Sequence, residues 1–530
     1  MKKTLLLLTT VGWMGYLKSQ VSFDGNLTSS FTYYNEKVID VSPNKEFFDK
    51  TGKYDASQNL IWNYSGLSQF GIKKVKSDRN GGCLVAGDFM GNVIIGNDTL
   101  KPYKSNNAPA DVVLVHFNSS GQKDWWIRFS DYWNTYPTTF YSDKTADLEC
   151  DGNYAYLSFE AGHGATKYYI GPNYSDSIQI PNRIAIFKID LTTGNIVWNK
   201  IPVGSAYGIY LLDMSVNNSG ELAFNYSSTS DLDWGNGVSA TADGTWVVKL
   251  SASGNTSWAT RVSNVKGLGN DSEVEMADNG EVYTAAKTPN AYPNTILNIP
   301  TNCNYIAKMS TTGNIEWSRK FSNLTAYEID IAYHFNHIYF RNSIGTTAKY
   351  VQSNASDSIA FVAGGTNNSS IYFGRFDASG NLDWHVIETG GSGSTNGFPG
   401  ILQKIDDGSG IFCVGGFTSN SVFGSYTLPS GFGQLEKFLM LSDDNFTAHV
   451  SENTINGIEL FPNPTESFIH IVLPDFNISE YEIYDLTGKL VHKGFLYNKE
   501  NSIDLKDLKG LYLIKIQQNN STYYTKFLKM

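Results

Sequence analysis

His334 and His337 are the residues whose spacing most directly suggests chemistry, because an HxxH on one helix face can hold a metal ion. Here the two bracket the turn "HFNH" between the short apolar runs "IDIAY" and "IYF", so the local pattern predicts a structural hairpin instead. "DLDWGNG" from Asp231 to Gly237 sets two carboxylates at the spacing of a calcium loop. It lacks a third ligand and the downstream glutamate that such a loop needs. No GxSxG, HExxH or phosphate-binding glycine loop occurs. The remaining acids are scattered, and a glycosidase pair must stand within about 5 to 9.5 Å, which spacing alone cannot assign. The four cysteines, Cys83, Cys150, Cys303 and Cys413, form no CxxC. They read as small buried hydrophobes in or beside strands. The sequence therefore assigns no catalytic residue, no metal site and no cofactor.

The elements around these residues are more informative. The chain has 530 residues, 41% hydrophobic, 14% aromatic and only 17% charged, with a formal net charge of -11. Low charge with abundant Tyr, Thr, Ser, Asn and Gly points to a β-rich extracellular protein. The acidic balance excludes nucleic-acid backbones and anionic bilayers as partners, since both need a basic face.

Ten-residue phrases recur along the chain. "KYDASQNLIW" ends at Trp62, and "RFDASGNLDW" ends at Trp384. Between them a glycine stands four residues before Trp125, Trp198, Trp258 and Trp317, and successive tryptophans are 59 to 73 residues apart. Such a period signals a stacked or radial array. Each turn follows an alternating strand, such as "DVVLVHF", "RIAIFKI" or "NYIAKM", and a second hairpin lies upstream, as at "CDGN" or "ADNGE". Each unit thus holds four strands.

Four-stranded antiparallel repeats are the blades of a β-propeller. A solenoid of stacked hairpins is the competing architecture. The six tryptophans, Trp62, Trp125, Trp198, Trp258, Trp317 and Trp384, would fill the widening wedge between neighbouring blades. The last unit, after "EKFLML", has His449 where the tryptophan should be, whereas the N-terminal copy ending at Trp62 has no clear inner strands. The simplest ring has six blades, the strand of Trp62 completing the last one. Seven follow if residues 21–49 hide two inner strands. The expected domain runs from 50 to 450, preceded by a segment, 21–49, of uncertain structure.

Units that read "GGCLVAGDF", "VIIGNDTL" and "DVVLVHF" resemble the β-propeller repeats of secreted proteins from Bacteroidota-type bacteria, over roughly residues 55 to 450. The resemblance implies the fold and says little of a ligand. "IDLTTGNIVW" also resembles the repeat of pyrroloquinoline-quinone dehydrogenases. Those have eight blades, adjacent cysteines and a calcium site, so the likeness here is one of blade architecture. In such bacteria an Asp followed by Ser or Thr and an apolar residue resembles an O-glycosylation acceptor. Thr99, Ser177 and Ser358 fit that pattern, although the triplets also fall at comparable places in the repeats and could serve the loop alone.

The two chain ends carry the sharpest expectation. Lys2 and Lys3 precede an apolar run from Leu5 to Leu17, which reads as a secretory signal over residues 1–20 and is too short to span a bilayer. No stable membrane insertion is expected of the rest. After a linker at 451–456, residues 457–530 read as a small Ig-like β-sandwich. "LFPNP", "YDLTGKLV", "DLKGLYLIKI" and "TKFLKM" resemble the type A C-terminal sorting domain of the type IX secretion system. For that family Pro462, Asn463, Pro464, Asp485, Gly488, Gly510, Tyr512, Lys526 and Lys529 carry the motif. The resemblance implies export through the periplasm to the outer surface or medium, with the secretion machinery as partner. The ligand would be an extracellular protein or glycan bound by the propeller. The alternative is an extracellular enzyme acting on polysaccharide, with its site in the loops near Tyr132 to Tyr141 or Tyr168 to Pro181.

Overall fold

A computed structural model describes the chain except residues 1–25, 28–39, 43–45, 56–58, 65–69, 90, 102–110, 132–143, 162–167, 171–175, 181–183, 205–209, 265–271, 289–291, 323–328, 335, 345–346, 352–357, 363–369, 390–400, 405–409, 418–421, 424–425, 428–435, 444–458, 462–464, 466, 474–478, 486–488, 506–507, 519–520 and 530. Among the described residues every regular element is a strand, and no helix is long and apolar enough to cross a membrane. The chain divides into two compact units, Met1–Asp444 and Asn445–Met530.

Among the described residues of the first unit the strands form seven larger antiparallel sheets, each built on four strands and three of them widened to six by an added hairpin, besides one small sheet of three strands and one of two. The first is Asp40–Val41, Phe47–Phe48, Gly52–Tyr54 and Leu60–Asn63, and the second Gly71–Ser77, Cys83–Phe89, Asp111–Phe117 and Lys123–Asp131. The third is Lys144–Cys150, Tyr154–Glu160, Ile184–Asp190 and Ile196–Lys200. The fourth is Tyr210–Val216, Leu222–Ser228, Gly244–Leu250 and Thr256–Ser263. The fifth is Ser272–Met276, Val282–Lys287, Asn304–Met309 and Ile315–Ser322, and the sixth Ile329–His334, His337–Ile344, Ser370–Phe376 and Leu382–Thr389. The seventh takes three strands in sequence, Ile401–Lys404, Gly410–Phe417 and Glu436–Asp443. Its fourth comes from the other end of the chain: Asn26 pairs with Phe438 and Leu27 with Lys437.

This corrects the simplest sequence reading in two respects. Seven four-strand sets are present among the described residues rather than six, and the strand of Trp62 belongs to a set of its own instead of completing the last one. The cause is the length of the first sheet's inner strands. Asp40–Val41 and Phe47–Phe48 are two residues each, too short for alternation to show, and they are held by the burial of Phe47 and Phe48.

Most of the hydrophobic clusters described in the first unit draw on two consecutive sheets. Leu84, Val112 and Phe129 of the second pack with Leu157 and Phe187 of the third. Tyr156 and Ile186 of the third pack with Phe224 and Val248 of the fourth, and Ile306 and Phe321 of the fifth with Phe340 and Phe376 of the sixth. The innermost strands lie side by side in chain order from the first sheet to the seventh. Only the fifth repeat adds a described cluster of its own, Ala286, Leu297, Ile299, Cys303, Tyr305 and Ala307, so neighbouring repeats stabilise one another.

The excursions between the second and third strands have a common use that the four-strand reading missed. Tyr168–Ile170, an excursion of the third repeat, pairs with the outer strand of the second sheet. Thr347–Val351 of the sixth repeat pairs with the outer strand of the fifth, and Val422–Phe423 of the seventh with that of the sixth. In the fourth repeat Leu232–Asp233 pairs with Val203–Gly204, just beyond the third sheet. The third, sixth and seventh repeats thereby cover an edge left open by their predecessor, which protects it from pairing with other chains, whereas Val93–Ile95 and Asp98–Leu100 of the second pair with each other in a sheet of two.

The second unit holds two antiparallel sheets. One has the order Glu459–Phe461, Phe468–Val472, Glu500–Asp504, and the other Leu490–Leu496, Ser479–Tyr484, Gly510–Gln518, Ser521–Lys529. Ile469, Ile471 and Ile503 of the first share one core with Tyr481, Ile483, Ile514 and Ile516 of the second, making a small sandwich.

Candidate functional site

The glycine-to-tryptophan phrase is a lock between successive repeats. The turn before each Trp strand is closed by a short-range bond and a register shift, as in Gly254 N–H to Ser251 C=O and the shift at Lys249 and Leu250. The glycine takes a left-handed φ, +81° at Gly254 and +86° at Gly313, which favours glycine there. The indole of the preceding repeat then lies on it. A Cβ on Gly313 would stand 2.7 Å from Trp258 Cδ2, and one on Gly121 2.7 Å from Trp62 Cδ2. Each Nε1 also donates to a carbonyl of that same turn: Trp62 to Ser119, Trp125 to Leu191, Trp198 to Ala252, Trp258 to Thr311 and Trp317 to Ala378, at 2.7 to 3.2 Å. Trp384 stands at the same register position, opposite Arg375, and its side chain lies outside the described residues.

Opposite every one of these tryptophans is a basic residue: Lys53, His116, Lys188, Lys249, Lys308 and Arg375. Lys53, Lys188, Lys249 and Lys308 each donate to a turn carbonyl of the next repeat, and three of them meet an acid as well, Glu46, Glu221 and Glu281. Lys188 instead lies 4.0 Å from the Tyr154 ring centre. Sequence reasoning passed over this layer. Its signal was a single basic residue in each third strand, as in "FKI", "VKL" and "AKM".

A second polar layer lies along the innermost strands, and it is the strongest candidate for a functional site in the first unit. Asp147 accepts from Met214 N–H at 2.8 Å, and Asp213 from Val274 N–H at 2.9 Å. Each carboxylate thus ties one inner strand to the next. Lys76 meets Glu149 at 3.1 Å and Asp40 at 4.0 Å, and Lys74 meets Asp147 at 2.6 Å. Ser215 Oγ donates to Glu275 at 3.2 Å. Other contacts skip a sheet: Arg79 of the second reaches Asn218 of the fourth at 3.1 Å, and Lys404 of the seventh meets Asp278 of the fifth at 3.7 Å.

Burial sets the protonation of the two glutamates. It pushes Glu149 up to about 7, helped by Asp147 and opposed by Lys76. It pushes Glu275 up to about 8, helped by Glu149 and Asp213 and opposed by Lys76 and Lys404. For an acid raised on folding, the associated stability is complete below about 4.5 and is lost as pH rises through the folded value. Glu275→Gln should therefore flatten the fall of thermal stability between pH 6 and 9, by on the order of 1–3 kcal/mol at the alkaline end. Thermal midpoints of both proteins across that range are the check.

The other sequence candidates are engaged in local structure. His334 and His337 face each other across a hairpin, and His337 Nε2 lies 3.2 Å from Asp383. Asp233 accepts from Gly235 N–H at 2.8 Å, closing its own turn, while Trp234 is buried and donates to the Tyr226 hydroxyl. Cys83, Cys150 and Cys303 are buried thiols, with Cys150 Sγ accepting from Gly152 N–H; the side chain of Cys413 lies outside the described residues. Thr99 and Ser177 are exposed in Asp98–Leu100 and Asp176–Ile178, the second strands of two short hairpins, of which only the latter is joined to a neighbouring sheet. Ser358 opens the matching strand Ser358–Val362, with its side chain outside the described residues. Asp98 accepts from Trp126 Nε1 at 2.7 Å and pairs with Lys123, so it has a structural task there. Of the two loops proposed for an enzyme, 132–141 lies outside the described residues, and the other is largely the covering hairpin of Tyr168–Ile170 and Asp176–Ile178.

In the tail, Pro462, Asn463, Pro464 and Gly488 lie outside the described residues. Asp485 caps its turn by accepting from Lys489 N–H at 3.0 Å. Gly510, at φ +118°, opens the strand that pairs with Lys529, which is buried and also bridges Thr465. Tyr512 is buried, and its hydroxyl donates to Lys509 C=O and accepts from Lys509 N–H. Lys526 stands opposite Leu513, its side chain outside the described residues. Residues 459–530 match the model of the secretion system C-terminal sorting domain family. The tail is a sorting domain. It belongs to the type IX route of Bacteroidota-type bacteria, and it directs the protein to the cell surface or the extracellular space.

No curated protein matches the chain. Among solved structures it is similar to the quinohemoprotein alcohol dehydrogenase of Comamonas testosteroni, at 9% identity and a TM-score of 0.34, covering 77% of this chain and 74% of that one. It is also similar to PorZ, a surface component of the type IX secretion system of Porphyromonas gingivalis, at 11% identity and a TM-score of 0.18, over 92% and 74% of the two chains. A third is the rhamnogalacturonan lyase YesW, at 9% and 0.24, over 71% and 89%.

Proposed function

We propose that the first unit is a seven-bladed β-propeller, closed by its own N-terminal strand, and that it serves outside the cell as a binding module delivered by the sorting tail. The observation that carries the ring is the pairing of Asn26–Leu27 with Glu436–Asp443, which brings the first described strand to the last sheet. Contacts that skip a sheet, from Arg79 to Asn218 and from Lys404 to Asp278, support inner strands facing a common axis. The binding reading rests on how the axial acids are used. Asp147 and Asp213 hold neighbouring backbones and Glu149 holds Lys76, so these groups serve the ring itself. The ligand class that suits an acidic, aromatic-rich exported protein is a neutral glycan or another surface protein.

The enzyme reading draws on the burial of Glu275, which pushes its carboxyl up to about 8, in the range a general acid uses near neutrality. A single experiment separates the two. The purified protein is incubated with a panel of neutral and acidic polysaccharides, and retention and newly released sugar ends are measured together. Retention without release supports the binding module. Release that is lost in Glu275→Gln would establish the enzyme.

A further inference from the structure

In the tail the larger sheet ends on two strands, Ser521–Lys529, which Thr465 bridges at Lys529, and Leu490–Leu496. Leu490–Leu496 pairs only with Ser479–Tyr484 among the described residues, leaving its outer row of N–H and C=O groups facing away from the sheet. Soluble proteins usually blunt such an edge. Here it carries exposed apolar groups: Leu490 is 40% exposed, Phe495 54% and Tyr497 60%, and the last two rings lie 6.2 Å apart. Of the exposed large hydrophobic residues described in the tail, only Phe468, on the other sheet, lies elsewhere. The charge along this edge is basic. Lys489 and Lys493, and Lys499 in the turn that leads to the smaller sheet, make no ion pair among the described residues; Glu482, opposite Lys493 and with its carboxyl lowered chiefly by its bond from Lys515, is held by that lysine at 2.8 Å. Two copies of this strand would bring lysines together. The edge therefore disfavours its own kind and suits an extended segment with acidic and apolar side chains.

We propose that the secretion machinery takes hold of the tail along Leu490–Leu496, by adding an acidic strand of its own to this edge. The inference rests on the tail being the sorting domain. Main-chain bonds would supply affinity, while Phe495, Tyr497 and the lysines would supply selectivity.

The test uses the full-length protein in its secreting host, with the exported fraction and the periplasmic fraction both measured. Three variants are compared: Phe495→Asp with Tyr497→Asp, Lys493→Glu with Lys499→Glu, and Phe468→Asp on the other sheet. The first two should lower export by about tenfold and about threefold, respectively, with folded protein retained in the periplasm. Phe468→Asp should be exported like the parent. The charge-reversal pair changes only exposed residues, so it keeps the test valid if the aromatic pair misfolds. Normal export of the charge-reversal variant, or equal loss in Phe468→Asp, would overturn the proposal. If a chain lacking residues 457–530 were itself exported, the sorting reading would fail instead, and the two failures are thereby distinct.

Discussion

A chain cut after residue 456 should accumulate in the periplasm and disappear from the cell surface and medium. The sorting family covers residues 459–530, and these form their own sandwich with a core of Ile469, Ile483, Ile514 and neighbours. The first unit packs its own clusters, so its removal from the tail should leave it folded. The loss of export should be close to complete, because the cut removes the whole segment that matches the sorting family. Fractionation followed by quantitative immunodetection checks it, and a normal thermal transition of the retained protein shows that misfolding is not the cause.

Breaking one tryptophan lock should cost more stability than any surface change. Trp258 is 8% exposed, donates to Thr311 C=O at 2.9 Å and lies on Gly313. Trp258→Ala removes the indole from between the fourth and fifth sheets and should destabilise the first unit by about 3–5 kcal/mol. Gly313→Ala should cost roughly 1–3 kcal/mol, since it places a Cβ both at a left-handed φ and against the ring. The two losses should not add. Once the indole is gone, the alanine keeps only its backbone strain, so a double-mutant cycle should show a coupling of about 1 kcal/mol or more. Denaturant unfolding of the four proteins measures it. Full additivity would mean that the glycine serves only its turn.

The repeat was legible because its lock is written in residue types that have no substitute. A left-handed turn favours Gly121, Gly254 or Gly313, and a flat wedge requires Trp62, Trp198 or Trp258, so both recur with period and order intact. The tail was legible for the same reason: Asp485 caps a turn and Gly510 opens a strand at positive φ. What escaped the sequence is work done by short or ordinary elements. Asp40–Val41 and Asn26–Leu27 are two residues long, and nothing in such dipeptides reveals that one begins a sheet and the other completes one more than four hundred residues away. The covering hairpins were hidden differently. "YYI" and "DSI" look like loop between two longer strands until the outer strand of the preceding repeat supplies their partner. Asp147, Asp213, Glu149 and Glu275 look like scattered acids in the sequence, because their partners, Met214 N–H, Val274 N–H, Lys76 and Ser215, stand on neighbouring repeats.

Closure of the ring by the N-terminal strand is the claim on which the architecture turns, and a cross-link measures it directly. Asn26→Cys and Phe438→Cys place thiols at positions that face each other in register. A parallel protein with Asn63→Cys and Phe438→Cys tests the alternative in which the strand of Trp62 closes the last sheet. After oxidation and proteolysis, peptide mapping should find the 26–438 disulfide and no 63–438 disulfide. A 63–438 link, with the 26–438 thiols left free, would contradict the seven-bladed ring.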